Sequence, residues 1–205
     1  MNYGDIKSHF DALLNRSDIT PALTALFIDQ GISRIERVLR TPLNEIVANY
    51  TFATQTASIA VPQDFLEIIS VYYQDRELTR IPMSRMRQYV QHPVAGKPMY
   101  FTREQQNLLL HPQPTTGDLS IYYYGDFADM VANADENALA KAAPELIIYA
   151  GLTLAADYFL DERRDAFEAR FLQILAEVQQ QAHDQELQGG TQVISPSATY
   201  TDYGD

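Results

Sequence analysis

The chain has 205 residues, 46% of them hydrophobic and 20% charged, with a formal net charge of -12, enough apolar content to bury a core in one domain or one domain with an insertion. The absence of cysteine removes disulfide frameworks, thiolate zinc sites and cysteine nucleophiles. The acidic balance argues against a protein that grips DNA, because non-specific affinity comes from Lys and Arg neutralising phosphates.

No apolar run approaches the roughly 18 residues of a membrane span, and the start Met1-Asn2-Tyr3-Gly4-Asp5 has no basic lead into an apolar stretch, so a soluble protein made in the cytoplasm, without membrane contact, is expected. Charge is unevenly placed: residues 1–130 carry 11 basic and 14 acidic side chains, residues 131–205 carry 4 and 13. The C-terminal third is the acidic pole, an arrangement that suits either a solvated face or head-to-tail neighbours of opposite charge.

Along the chain, Ile6, Phe10, Leu13 and Leu14 stand at helical spacing. Thr20-Pro21 offers a cap and a first-turn proline for a second helix, whose stripe of Leu23, Leu26, Phe27, Ile35, Val38 and Leu39 runs to a stop at Thr41-Pro42. After Pro42 the texture is β-branched and alternating over Ile46–Phe52, Ser58–Pro62 and Phe65–Tyr73. A weak helical segment at Met83–Gln91, with Arg85 and Arg87 outward, precedes a breaker-rich loop at His92–Pro98. Strand texture returns at Met99–Phe101, Asn107–Leu110 and Leu119–Tyr124.

Helical patterning resumes at Asn137. Pro144 opens a helix in which Ala150, Gly151 and Ala155 allow a neighbour to approach closely. The last helix places Phe167, Phe171, Ile174 and Val178 on one seam and turns polar after Gln179, and Gly189-Gly190 breaks it. Thr191–Asp205 has no periodicity and reads as a tail that cannot bury itself.

The predicted fold is therefore α+β: an antiparallel helical bundle from N- and C-terminal helices with an inserted small β-sheet lobe and a flexible C-terminal tail. Residues 1–43 and 131–188 form the bundle, 44–130 the inserted lobe and 189–205 the tail.

Motifs for chemistry are sparse. His9, His92, His111 and His183 are far apart with no metal-ligand spacing, no Gly-Lys-Ser/Thr follows any glycine, and there is no Gly-x-Ser-x-Gly elbow. No catalytic, cofactor or metal site is expected.

Three segments, in order, resemble the head-to-tail adaptor family of tailed bacteriophages, the head-tail connector or tail-tube gatekeeper type. They are Ile32-Ser33-Arg34-Ile35-Glu36-Arg37-Val38-Leu39-Arg40-Thr41-Pro42-Leu43, similar to an arginine-studded second helix; Val61-Pro62-Gln63-Asp64-Phe65-Leu66-Glu67 running on to Tyr73; and Pro144–Ala150 paired with Asp161-Glu162-Arg163-Arg164 and Phe167–Phe171. Together they cover most of residues 20–175, with Phe167 where many relatives carry tryptophan. The resemblance implies a virion structural protein at the head-tail junction, assembled in the host cytoplasm. It implies portal binding, docking of tail or nozzle proteins, and a homo-oligomeric ring of about twelve copies whose lumen passes genomic DNA. Whether the free protein is a monomer that a portal templates into the ring is left open by the sequence.

Two alternatives accompany that expectation, a small tail-terminator or tail-tube protein and a tail-associated cell-wall glycosidase built on Asp64, Glu67 and Asp75. Against the latter, Asp64 reads as capping the start of its strand and Glu67 as alternating to solvent. For subunit contacts the candidates are Arg34, Arg37 and Arg40, facing Asp161 and Glu162 of the next copy. For portal contacts they are Val193, Ile194, Tyr200 and Tyr203 in the tail.

Overall fold

The computed structural model describes residues 1–187. Their elements are α1 (Tyr3–Leu14), α2 (Pro21–Glu36), a 3-10 turn (Pro42–Asn44), β1 (Glu45–Phe52), β2 (Ser58–Ala60), β3 (Phe65–Tyr73), β4 (Arg76–Glu77), β5 (Thr79–Arg80), α3 (Met83–Val90), β6 (Tyr100–Glu104), β7 (Asn107–His111), β8 (Gly117–Gly125), α4 (Ala138–Ala142), α5 (Pro144–Tyr158) and α6 (Arg164–Leu187). Two separate apolar clusters organise them, one helical and one β.

Helix α1 starts where the Asn2 side chain accepts the Asp5 N–H at 2.8 Å, and α2 where Thr20 accepts from Leu23 ahead of Pro21. Ile6, Phe10 and Leu14 are fully buried, as are Ile28 and Ile35. Full burial of such side chains stabilises by roughly 1.5–3 kcal/mol each. Leu13, Leu26 and Val38, expected in the apolar stripes, stay 42–48% exposed. For Val38 the reason is that α2 ends at Glu36, not at Thr41: the N–H groups of Val38 and Leu39 both donate to Ile35 O, so the chain tightens, buries Leu39 and turns toward the β lobe.

Helix α5 is the axis of the bundle. It is apolar around most of its circumference, with nine buried residues, and packs against α1, α2, α4 and α6. Its tightest neighbour is α2, and glycine makes that approach possible: a Cβ on Gly31 would lie 2.8 Å from the Gly151 backbone nitrogen, and one on Gly151 would lie 3.1 Å from both a Phe10 ring carbon and Phe27 O. The N- and C-terminal helices thus close on one another through backbone contact.

The inserted segment forms two four-stranded sheets, ordered β1-β8-β3-β4 and β2-β7-β6-β5. All pairings are antiparallel except β5 with β6. Alternation places Leu119, Ile121 and Tyr123 of β8 inward, facing Phe101, Leu108 and Leu110 of the second sheet. Tyr122 and Tyr124 fall on the outer side, where Tyr72 and Tyr122 meet edge to face at 5.6 Å. β3 is bulged twice, and the second register shift leaves Ile69 without a Cα partner and 43% exposed.

A hydrogen-bonded hinge joins the lobes. Buried Asn44 accepts from Thr41 N at 3.1 Å and donates to Leu39 O and Gly125 O at 3.4 and 3.3 Å, tying the outgoing strand of chain to the returning one. The Phe127 N–H donates to Glu36 at 3.0 Å, and Asp126 N to Asp64 O. Every polar group of the Asn44 side chain is satisfied, which is the condition for burying it.

Candidate interaction surfaces

The arginines of the 34–40 segment have different fates. Arg34 donates a two-pronged pair of hydrogen bonds to Glu168 of α6 at 2.6 and 2.9 Å, and its guanidinium lies 4.1 Å from the centre of the Phe171 ring. Its contact is internal, a clamp between the second and last helices. Glu168 is held below the usual carboxylate range, chiefly by that hydrogen bond.

Arg40 donates to Glu36 O and Leu39 O at 2.7 Å, closing the frayed end of α2, and to Glu67 of β3 at 3.0 Å. It therefore braces the hinge. Arg37, by contrast, is exposed and has no ion-pair or hydrogen-bond partner among the described residues.

Asp161 and Glu162 divide in the same way. Asp161 is gripped by Arg163, whose guanidinium also caps α1 by donating to Leu13 O and Leu14 O at 3.2 and 2.8 Å. That grip lowers the Asp161 pKa to about 2. Glu162 is exposed, with no ion-pair or hydrogen-bond partner among the described residues. Of the five side chains expected between subunits, Arg37 and Glu162 remain open. Val193, Ile194, Tyr200 and Tyr203 lie outside the described residues.

The three carboxylates of the glycosidase alternative do not face one another. Asp64 accepts from the Tyr123 hydroxyl at 3.0 Å, Glu67 pairs with Arg40, and Asp75 lies in the β3–β4 turn. The Tyr123 phenol is pushed up to about 12, first by burial and then by the hydrogen bond to Asp64. Among the described residues, no three His, Cys, Asp or Glu side chains form a group that could hold a metal ion, and no helix is long and apolar enough to cross a membrane.

An acidic cleft of about 420 Å³ runs between α2 and the returning segment, lined by Asp29, Glu36, Asp126 and Asp129 among others. Burial, followed by the charges of Asp126 and Asp129, raises the Glu36 pKa, against the Phe127 N–H that lowers it. A carboxyl whose pKa is higher folded than unfolded costs stability once pH exceeds both values, and costs nothing below both. Glu36→Gln keeps an acceptor for Phe127. It is expected to raise stability at pH 7 by a few tenths of a kcal/mol, discounted because the group is half solvated. Urea unfolding at pH 7 and at pH 3.5 checks this, the gain vanishing at the lower pH.

At the far end of the bundle, α5 stops in a Schellman turn. Leu160 N donates to Asp157 O and Asp161 N to Ala156 O at 2.8 Å. The residue in the left-handed position is usually glycine, yet here it is Leu160, with φ of 54° and its side chain 91% exposed. Tyr158 beside it is 62% exposed, while Phe159 between them packs on Phe27 beneath the Arg16 guanidinium. Leu160→Gly is expected to stabilise the fold by about 1 kcal/mol, since a left-handed conformation costs L-residues that much. Chemical denaturation measures it.

Two cores, an internally braced hinge and charged clamps spent on the fold define a two-lobed α+β protein. The family model of the SU10 adaptor protein, a phage head-to-tail adaptor, matches residues 1–194, and the chain belongs to that family. Its role is that of a phage virion adaptor, in a structural family not known to be enzymatic. No curated protein matches the sequence.

Proposed function

We propose that the protein couples the portal to the tail: it binds the portal, assembles as a homo-oligomeric ring of about twelve copies with a lumen for DNA, and offers a docking surface to tail or nozzle proteins. The observation that supports this best is the hinge, in which Asn44, Arg40 and Glu36 fix a β lobe rigidly to a helical lobe. A coupling piece must transmit contact at one end to contact at the other, and such bracing holds its two unlike surfaces in register. The net charge of -12 agrees with DNA moving past the wall without sticking, since few phosphate counterions would be released there.

The segment after Gly190, with Val193, Ile194, Tyr200 and Tyr203, is the portion assigned to the portal. Mixing the chain with its portal is expected to give a complex of far larger mass by light scattering, with added ring density in electron micrographs. Removal of residues 191–205 is expected to abolish it. Binding to tail tubes but not to the portal would favour the tail-terminator alternative instead.

A further inference from the structure

The β lobe has two outer faces of opposite character. On the first sheet, alternation turns Leu119, Ile121 and Tyr123 into the core, so the residues between them point away from it. The register then places Val47, Tyr122 and Ser70 in one row across the outer face, with Tyr72 and Glu77 in the next row and Glu45 and Glu67 in the row before. Val47 and Tyr122 at its centre are 46% and 40% exposed, and the bulge next to Ser70 leaves Ile69 43% exposed. Its charges are of one sign. Glu45, Glu67, Glu77 and Asp118 are exposed at outward positions of the sheet, where no Lys or Arg stands. Arg40 reaches Glu67 from the hinge, and Arg76, opposite the core residue Tyr73, falls on the inner side. Glu45 and Glu77 have no ion-pair partner among the described residues.

The second sheet carries α3 on its outer face. Tyr100 and His111, on the side away from Phe101 and Leu110, stack with Tyr89 of α3 at 5.7 and 4.5 Å between ring centres, and Met86 of the same helix is fully buried. Glu104, outward on the same strand as Tyr100, is taken by Arg87 at 3.0 Å. What α3 and the loop after it expose is apolar and cationic. Val90 and Val94 are each 52% exposed, and Arg85 and Lys97 are exposed without ion-pair partners among the described residues. Residues 78–103 hold five basic side chains and no acidic one, in a chain of net charge -12.

We infer that α3 and its loop, from a second copy of this chain, cover the outer face of the first sheet. Val90 and Val94 seat on Val47, Ile69 and Tyr122, and Arg85 and Lys97 fall among Glu45, Glu77 and Asp118. This rests on the adaptor reading, which brings many copies together, and names the contact between them. The two surfaces lie on opposite sides of one sandwich, so no chain joins its own pair. The contact is therefore heterologous and repeats head to tail, closing into a ring where the rotation permits. The apolar centre supplies adhesion and the opposite charges supply register.

The cysteine-free chain gives a clean test. Virions are assembled with the unaltered chain, with Val47→Cys or Val90→Cys alone, and with both together, each at an exposed position. A short bis-maleimide followed by denaturing electrophoresis is expected to give a ladder of dimers and larger species from the double variant, and only monomer from each single one. Particles that contain the double variant yet yield only monomer, or a single variant that gives the same ladder, overturn the contact while leaving the adaptor reading intact. Absence of the unaltered chain from particles overturns the adaptor reading itself.

If the double variant alone is missing, charge reversal decides. Glu45→Lys with Glu77→Lys, and Arg85→Glu with Lys97→Glu, are each expected to leave thermal unfolding unchanged within a degree and to reduce incorporation at least tenfold, while all four changes in one chain restore it. Full incorporation of either pair, or no recovery in the combination, refutes the contact.

Discussion

Gly151→Val is expected to destabilise the protein by about 3 kcal/mol, the upper part of the range for forcing extra methyl groups into a packed core. Position 151 is where α5 passes closest to α2, and the atoms a Cβ would meet are Phe27 O and the ring of Phe10, which is wholly buried. Neither yields cheaply, since one is helix backbone and the other is pinned beneath the bundle. Valine recovers a few tenths of a kcal/mol of helix propensity over glycine, far too little to offset the clash. Urea unfolding followed by circular dichroism measures the loss, and a change below 0.5 kcal/mol, about the spread of an ordinary surface substitution, would mean the two helices are not in backbone contact. Gly31→Val, on the facing helix, is expected to behave alike, because its Cβ would sit 2.8 Å from Gly151 N.

Asn44→Ala is expected to cost about 2 kcal/mol and to loosen one lobe against the other. The substitution deletes an acceptor for Thr41 N and a donor to both Leu39 O and Gly125 O, all at a buried site. Leaving such groups without partners carries the desolvation penalty in full, whereas an exposed asparagine would lose almost nothing. Hydrogen exchange locates the effect: faster exchange is expected in residues 39–46 and 125–127, with the centres of α5 and β8 protected nearly as before. Uniform loss of protection throughout would show that the hinge is not a local device. Since the adaptor role requires the lobes to hold a fixed relation, the same variant is expected to lower the yield of tailed particles.

Much of this fold is legible in the sequence because burial imposes a period. Ile6, Phe10 and Leu14 recur on one face of α1, Phe171 and Ile174 mark the seam of α6, and Leu119, Ile121 and Tyr123 alternate along β8. The Ala150-Gly151 pair announces a close neighbour, and Gly31 is that neighbour. What escapes is whatever depends on distant partners. β4 and β5 are two residues each, Arg76-Glu77 and Thr79-Arg80, with no apolar period; backbone pairing alone creates them.

The surfaces were harder still. Arg34 and Arg37 look equivalent in the sequence, but one meets Glu168 134 residues away and the other meets nothing among the described residues. Spacing within a helix cannot separate a clamp from an open charge. Leu160 did leave a trace: α5 ends in Phe159-Leu160-Asp161 with neither glycine nor asparagine to take the left-handed position.

An adaptor has one place in the particle, the junction between portal and tail. Cryo-electron microscopy of intact virions is expected to place the bundle and β lobe of residues 1–187 in density between portal and tail, one copy per repeating unit of the junction. Density for this fold at the distal tail or in the capsid shell, or none anywhere in the particle, would contradict it.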